Sequence, residues 1–251
     1  MGEAFKNGGA ALLSVFDHIY VVNLPSRTDR RREMEHQLQG IGLSLDHPRI
    51  TLFAAIRPES KGEFPSIGCR GCFESHLAIF KAAVEANHSS ILIIEDDTNF
   101  RANFAQRFGA MTPRLATEPW DIFYGWTRQT VGKEFDAQST EMIEMDPSEA
   151  PYSSHFIGYQ KSAIVALVPY LSAIAARPLG DPNGGPMHID GAYGWFRAAH
   201  PTMKTLASLY PITRQRPSRT DIQDVRWFDR IAVLAPLVLF YRRLKSQFRQ
   251  E

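Results

Sequence analysis

The sequence predicts an α/β fold, a single domain in which a mainly parallel central sheet is flanked by helices. Apolar runs rich in β-branched residues alternate along the chain with segments of helical composition. Because parallel strands need crossover connections, this alternation favours a parallel sheet covered on both faces. Of the 251 residues, 44% are hydrophobic and 22% charged, so the chain can bury a substantial core.

The first half of the chain predicts three strands separated by two helices. The strand candidates are "HIYVVNL" (18–24), "RITLFAAI" (49–56) and "ILIIEDD" (91–97). The helix candidates are "PSRTDRRREMEHQLQGIG" (25–42), which ends in a glycine signal, and "CFESHLAIFKAAVEANH" (72–88).

The second half continues the pattern with three more strands and two more helices. The strand candidates are "WDIFYGW" (120–126), "SSHFIGYQ" (153–160) and "KTLASLYPITRQ" (204–215). The helix candidates are "KSAIVALVPYLSAIAARP" (161–178) and "HIDGAYGWFRAAH" (188–200), which begins near Asp190. The polar stretch 127–150 and the Gly- and Pro-rich stretch 178–188 are predicted to be loops.

Charge and cysteine content narrow the classes of function. The net charge is +1, and residues 1–200 contain no basic stretch interleaved with aromatics, so we expect no nucleic-acid partner. The N-terminus lacks the basic start of a secretory signal, so we expect a cytoplasmic protein. Cys69 and Cys72 have C-x-x-C spacing and, with His76, could form part of a zinc site. No second C-x-x-C or H-x-x-x-H follows, so we favour buried, unligated thiols.

The C-terminal residues 225–251 are predicted to form a basic amphipathic tail after a domain spanning 1–224. Residues 214–251 contain nine Lys or Arg and four acids. The apolar run "IAVLAPLVLFY" has eleven residues, whereas a spanning helix needs about 20. The tail either lies on an anionic membrane surface, which would make the protein peripheral on the inner membrane face, or packs on the domain or a second subunit.

Three adjacent carboxylates, Glu95, Asp96 and Asp97, end the apolar run of residues 91–97. Ligands of open parallel sheets bind at the carboxyl ends of the strands, where these side chains should lie. Carboxylates beside a buried strand need neutralisation, which a hard cation such as manganese or magnesium provides. The structural alternative is that one acid caps the next helix while the others are solvated.

A group of polar and basic residues follows the first predicted strand. Asn23 lies just after the strand, and Arg27, Arg30 and Arg31 come at the opening of the next helix. Helix N-termini and arginines both bind anions, so this segment suits a nucleotide diphosphate. Alternatively, the arginines form an ordinary solvated helix face.

Four separated motifs resemble those of glycosyltransferase family 25, which includes bacterial lipopolysaccharide galactosyltransferases and the collagen hydroxylysine galactosyltransferases. The motifs are "VVNLPSRTDRR", "GCFESHLAIF", "ILIIEDD" and "WDIFYGW". Weaker likenesses in "HIDGAYGWF" and "RPSRTDIQ" extend the resemblance over roughly 17–223. The chain departs from the family where "SIGCRGC" replaces an acid-bearing G-E-I-G-C and where His188 replaces the proline of P-x-D.

The resemblance implies an inverting GT-A enzyme that uses a UDP-sugar donor and a divalent cation, manganese or magnesium. It would transfer galactose or a related hexose to a glycan acceptor such as lipopolysaccharide or another surface polysaccharide. Asp97 would ligate the metal with help from Glu95, and Asp190 would be the catalytic base unless it is a simple helix cap. The nucleotide-sugar contacts would come from Asn23, Leu24, Arg27, Arg30, Ser75, His76, Asp96 and Asp221.

Two other functions fit the same acids. A metal-dependent phosphotransferase or nucleotidyltransferase also gathers carboxylates at a strand end, although the sequence has no G-x-x-x-x-G-K-[ST] loop. A catalytically silent, glycosyltransferase-like module could bind sugars or scaffold a membrane assembly through the basic tail.

Overall fold

The computed structural model describes residues 2–127 and 142–216, without the side chains of residues 2–6. Within these ranges the helices are α1 (Gly2–Val15), α2 (Thr28–Gly40), α3 (Ile67–Glu85), α4 (Phe104–Thr117), α5 (Lys161–Ala176) and α6 (Ile189–Ala199). The strands are β1 (His18–Asn23), β2 (Ile50–Ala54), β3 (Ser90–Glu95), β4 (Thr98–Phe100), β5 (Ile122–Tyr124), β6 (Met142–Glu144), β7 (Phe156–Gln160), β8 (Thr205–Ser208) and β9 (Thr213–Gln215). Asp221 and the predicted tail lie outside the described residues.

Seven of these strands form the central sheet, in the order β2-β1-β3-β7-β5-β8-β6. β1 is parallel to β2 and β3, and β5 is parallel to β8, whereas β7 is antiparallel to β3 and β5 and β6 is antiparallel to β8. Five strands therefore run in one direction, with β6 and β7 reversed. This topology confirms the predicted α/β class with a mainly parallel sheet flanked by helices.

The side chains of β3 show how the sheet is buried on both faces. Ile91 and Ile93 join a hydrophobic cluster with α3, α5 and α6, whereas Leu92 and Ile94 join a second cluster with α1, α2 and α4. All four side chains are fully buried. Since successive strand residues point to opposite faces, a strand covered on both sides needs a continuous apolar run.

Several elements differ from the sequence-based prediction. Helices α1 and α4 and strand β4 are additions, and β6 lies within the stretch 127–150 that is predicted as loop. Helix α4 contains Pro113, which argues against a helix in the sequence. Helix α1 contains Gly9, where an added Cβ would lie 2.8 Å from the carbonyl oxygen of Ile41, so close packing explains this helix-weakening residue.

Residues 204–215, predicted as one strand, form the two strands β8 and β9. Pro211 lies between them and cannot donate a ladder hydrogen bond, so the strand breaks there. Beyond the break, β9 pairs antiparallel with β4, and Gln215 is the register partner of Thr98. This small sheet brings residues 213–216 beside the acidic turn that follows β3.

No helix in residues 2–127 and 142–216 combines the length and apolar character needed to cross a bilayer.

Candidate functional site

The acidic motif lies where β3 leaves the central sheet. Glu95 is the last residue of β3, and Asp96 and Asp97 form the turn to β4. The main chain is held from two sides: the Glu95 amide donates to the carbonyl of His155, and the Asp96 amide donates to that of Val22 at 3.2 Å. Asp96 is 6% exposed and Asp97 is 8% exposed, so both carboxylates are buried against the domain.

Asp96 has a partner for each of its carboxylate oxygens. Asn23 Nδ2 donates to Oδ2 at 2.7 Å, and Arg30 Nη1 donates to Oδ1 at 2.8 Å. Asn23 also donates to the main-chain oxygen of Arg27 at 3.2 Å. Two predicted donor-site residues, Asn23 and Arg30, are therefore bonded directly to a third, Asp96.

Asp97 is held less completely than Asp96. Gln215 Nε2 donates to Oδ2 at 3.3 Å, and Arg30 Nη1 lies 3.6 Å from the same oxygen. The other oxygen, Oδ1, is buried and has no hydrogen-bond partner among the described residues. Burial raises the pKa of the Asp97 carboxyl, an effect that the charge of Arg30 opposes.

Glu95 contacts a different set of residues from Asp96 and Asp97. Ser154 Oγ donates to Glu95 Oε1 at 2.6 Å, and His76 Nε2 lies 3.9 Å from the same oxygen. Burial, with the negative charge of Asp97 as the next cause, raises the pKa of Glu95 to about 8. Each carboxylate disfavours the ionisation of the other, and a bound cation would offset this repulsion between Glu95 and Asp97.

His76 lies behind Glu95 on α3 and is fully buried. Its Nδ1 is 2.7 Å from the hydroxyl of Tyr193 on α6, whereas Nε2 has no hydrogen-bond partner in the described part of the chain. Burial lowers the pKa of His76 to about 4, so the ring is neutral at physiological pH. A neutral imidazole with one oriented nitrogen and one unused nitrogen is suited to ligation.

Asp190 reaches the same region from α6. It lies in the first helical turn, is half-buried, and accepts a hydrogen bond from the Gly191 amide at 2.9 Å. After burial, the negative charges of Glu95, Asp190 and Asp97 all raise the pKa of the Cys72 thiol. Cys72 thus lies within electrostatic reach of both the acidic turn and Asp190.

Three other predicted residues make local contacts. Arg27 forms two hydrogen bonds with Asp29, at 3.0 and 2.9 Å, and its amide donates to the Leu24 carbonyl in the turn after β1. Ser75 is fully buried, donates to the Gly71 carbonyl at 2.6 Å and accepts from the Ile56 amide at 2.8 Å. These bonds give Ser75 a structural role, and its contact with a nucleotide sugar stays a prediction.

Comparison with known proteins agrees with the motifs. The family described as "Glycosyltransferase family 25 (LPS biosynthesis protein)" matches residues 59–175, which include His76 and the three acids. A "Glycosyltransferase 25 family member" of Anopheles gambiae is 28% identical over 135 residues, 43% of this chain and 21% of that protein. Over residues 59–175, the chain is similar to glycosyltransferase family 25.

Two further relatives show the range of this family. "Procollagen galactosyltransferase 2" of Homo sapiens is 24% identical over 189 residues, which cover 66% of the chain and 28% of the relative. "Probable inactive glycosyltransferase 25 family member 3" of Bos taurus is 26% identical over 137 residues, which cover 47% of the chain and 23% of the relative. The matched regions span only 21–28% of these curated relatives.

Among solved structures, the chain aligns with a glycosyltransferase involved in the glycosylation of the major capsid of PBCV-1. The alignment has 10% identity and a TM-score of 0.32, and covers 76% of this chain and 92% of the other. That score is too low to establish a common fold, so the fold class rests on the strand order and directions described above.

The carboxylates of the acidic turn fit a hard divalent cation. Oδ1 of Asp97 is buried with no hydrogen-bond partner in the described ranges, and Glu95 provides a second carboxylate in the same cluster. Manganese and magnesium prefer oxygen ligands, and carboxylates above all. Cys72, His76 and Glu95 also offer ligand atoms that all lie within 4.8 Å of one another.

Arg216 is a residue of the site that was not predicted from the sequence, where it counts only towards the basic C-terminal charge. In the structure its amide donates to the Asp97 carbonyl at 2.6 Å, and its guanidinium donates to the Asp96 carbonyl at 3.0 Å and to Asn99 Oδ1 at 2.9 Å. The same guanidinium pairs with Glu33 on α2 at 2.7 Å. Since these contacts join residues more than a hundred positions apart, local sequence patterns contain no signal for them.

Proposed function

We propose that this chain is an inverting, metal-dependent glycosyltransferase that moves galactose or a related hexose from a UDP-sugar to a glycan acceptor. Lipopolysaccharide or another surface polysaccharide is the acceptor class that the family description favours. The observation that carries the proposal is Oδ1 of Asp97, just after β3 and close to Glu95, which is buried and has no hydrogen-bond partner among the residues that the structure describes. A buried carboxylate oxygen without a partner is costly unless a ligand neutralises it.

At the donor end, the chain's own residues hold the acidic turn in a fixed position. Asn23 and Arg30 bind Asp96, while Arg216 binds the main chain of Asp96 and Asp97. When bound, manganese or magnesium would offset the charge that grows on the departing diphosphate. Asp97 and Glu95 would hold that cation, and the loop containing Leu24 and Arg27 would flank the nucleotide.

At the acceptor end, Asp190 is the proposed base. Its carboxylate would take the proton of the attacking hydroxyl while the acceptor oxygen bonds to the anomeric carbon and the bond to the diphosphate oxygen breaks. Trp195, on the same helix, is 43% exposed and offers a flat apolar surface for a sugar ring. This arrangement would put donor and acceptor on opposite sides of the transferred sugar, as inversion requires.

We also propose that the tail, residues 225–251, attaches the protein to the inner membrane face. The support is the sequence alone: an eleven-residue apolar run flanked by Arg242, Arg243 and Lys245. Each basic residue near an anionic surface contributes about 1 kcal/mol. Co-sedimentation with phosphatidylserine vesicles should therefore weaken when all three residues are changed to Ala, whereas binding that is insensitive to salt and to this change would contradict the proposal.

Release of UDP across a set of UDP-sugars, with manganese, magnesium or a chelator present, tests the central activity. We expect release that needs a divalent cation and rises several-fold when a suitable glycan acceptor is added. If none of the UDP-sugars gives UDP release, the silent module is favoured. The relative named probable inactive makes this outcome relevant. Turnover of a nucleoside triphosphate instead would favour the phosphotransferase or nucleotidyltransferase alternative.

A further inference from the structure

Cys72, His76 and Glu95 form a second type of donor set beside the acidic turn. One sulfur, one nitrogen and one oxygen atom from these residues all lie within 4.8 Å of one another. Cys72 and His76 are four residues apart on α3, so they occupy neighbouring positions on one helix face. Glu95 comes from the end of β3, which packs beside this helix face.

His76 provides the independent sign of a ligand. Its side chain is fully buried, its Nε2 has no hydrogen-bond partner in the described part of the chain, and that atom lies 3.9 Å from Glu95 Oε1. Ligands of a tetrahedral zinc ion lie about 3.3–3.8 Å apart when the bonds are about 2.0–2.3 Å long. The His76 and Glu95 atoms are therefore already near the separation that a shared metal ion would impose.

The contact between His76 Nδ1 and the Tyr193 hydroxyl, 2.7 Å long, fixes the ring so that Nε2 faces Glu95. Metal-ligating histidines are commonly oriented in this way through their second nitrogen. Cys72 and Glu95 are half-buried, whereas His76 is fully buried. The carboxylates of Glu95, Asp190 and Asp97 near the Cys72 thiol would attract a cation, which would replace the thiol proton on binding.

We propose that Cys72, His76 and Glu95 bind a thiophilic transition-metal ion of the zinc class. Sulfur and imidazole ligands favour zinc over manganese or magnesium. Because Glu95 also belongs to the proposed cation site of the transferase, zinc bound here withdraws Glu95 from that site. This inhibitory consequence rests on the proposed function, whereas the binding itself does not.

The binding test uses the full chain after chelator treatment, with cobalt(II) as a spectroscopic probe for zinc. We expect an ultraviolet thiolate-to-cobalt charge-transfer band that saturates at about one ion per chain and is abolished by added zinc. Cys72→Ser should remove the band. Cys69→Ser is the matched control, since Cys69 lies one helical turn away and outside the group, and it should keep the band.

Glu95→Gln provides a second variant that does not depend on replacing a thiol. It should keep the thiolate band but weaken cobalt binding by at least about tenfold, through loss of a charged ligand. Absence of the band in the wild type, or its persistence in Cys72→Ser, would overturn the proposal. Loss of the band in Cys69→Ser would also overturn it, because the site would then be the C-x-x-C pair.

The inhibitory consequence is tested by measuring how zinc inhibits manganese-supported UDP release. Half-inhibition in Cys72→Ser should need at least about tenfold more zinc than in the wild type or Cys69→Ser. Equal zinc sensitivity in all three proteins would contradict the shared use of Glu95. A cobalt band without turnover of any donor would support the metal site while refuting the transferase proposal, so the two failures are distinguishable.

Discussion

The side-chain amide of Asn23 and the carboxylate of Asp96 lie 2.7 Å apart, joining the ends of the neighbouring parallel strands β1 and β3. This contact links two of the motifs through a buried hydrogen bond to a charged group. Arg30 binds the other oxygen of the same carboxylate from α2. Asp96 therefore organises the strand ends, while Oδ1 of Asp97 has no hydrogen-bond partner within residues 2–127 and 142–216.

We expect Asn23→Ala to destabilise the domain by about 1–3 kcal/mol, because it removes a partner from a buried carboxylate. Urea unfolding measures this free energy. Asn103→Ala is the matched control: Asn103 is exposed and makes no side-chain capping bond to α4, so its loss should change stability by less than about 0.5 kcal/mol. Equal stability of Asn23→Ala and the wild type would show that the contact contributes nothing.

Arg216→Ala should raise the manganese concentration needed for half-maximal UDP release by about 10–100-fold. The reason is that Arg216 fixes the main chain of the acidic turn without being a ligand itself, as outer groups of metal sites do. Arg214→Ala is the control, since Arg214 is an exposed residue of β9, the strand that Arg216 follows. If both variants need the same manganese concentration as the wild type, Arg216 does not position the turn.

Stability should fall as the pH drops from about 6.5 towards 4, partly because of His18. Burial lowers the pKa of His18 to about 4, and the positive charges of His88 and Arg49 act in the same direction while Asp17 opposes them. The unfolded chain, with a histidine pKa of about 6.5, binds more protons in this range, so acid favours unfolding. His18 therefore accounts for part of the stability lost between pH 7 and pH 5.

Urea unfolding of His18→Gln at the same two pH values checks this contribution. The variant should lose less stability on acidification than the wild type, because glutamine does not bind a proton. His36→Gln, on the exposed side of α2, should keep the wild-type pH dependence. A His18→Gln profile that matches the wild type would rule out His18 as a source of acid sensitivity.

Asp190→Asn should lower turnover by about 100- to 10,000-fold, because a general base acts on the acceptor hydroxyl in the transition state. Affinity for the UDP-sugar, measured by calorimetry, should stay within a few-fold of the wild type. Lost donor affinity with preserved turnover per bound donor would assign Asp190 to the donor site instead.

The sequence was informative where one short segment contains the whole signal. The apolar run of β3 predicts both its burial and the position of Glu95, Asp96 and Asp97 at the sheet edge, since strand periodicity and parallel topology determine both. The resemblance implies that Asp97 ligates the metal, but leaves open whether Asp96 also ligates it or binds the ribose. They differ through partners on other elements, namely Asn23 and Arg30, which strand composition does not encode.

Contacts between the site and segments distant in the sequence were the least predictable feature. Ser154, Tyr193 and Arg216 contact Glu95, His76 and the acidic turn from three distant segments. None belongs to a local pattern that indicates such a contact. The break at Pro211, by contrast, carries a local signal, because proline interrupts a ladder and divides residues 204–215 into β8 and β9.

The manganese dependence of UDP release by Asp97→Asn tests the central claim most directly. We predict that this substitution, which keeps the side-chain volume, lowers manganese-dependent turnover by at least about 100-fold while the melting temperature changes little. Asp46→Asn, at an exposed acid away from the site, should behave as the wild type. Wild-type turnover with unchanged manganese dependence in Asp97→Asn would contradict the assignment of Asp97 to the cation site.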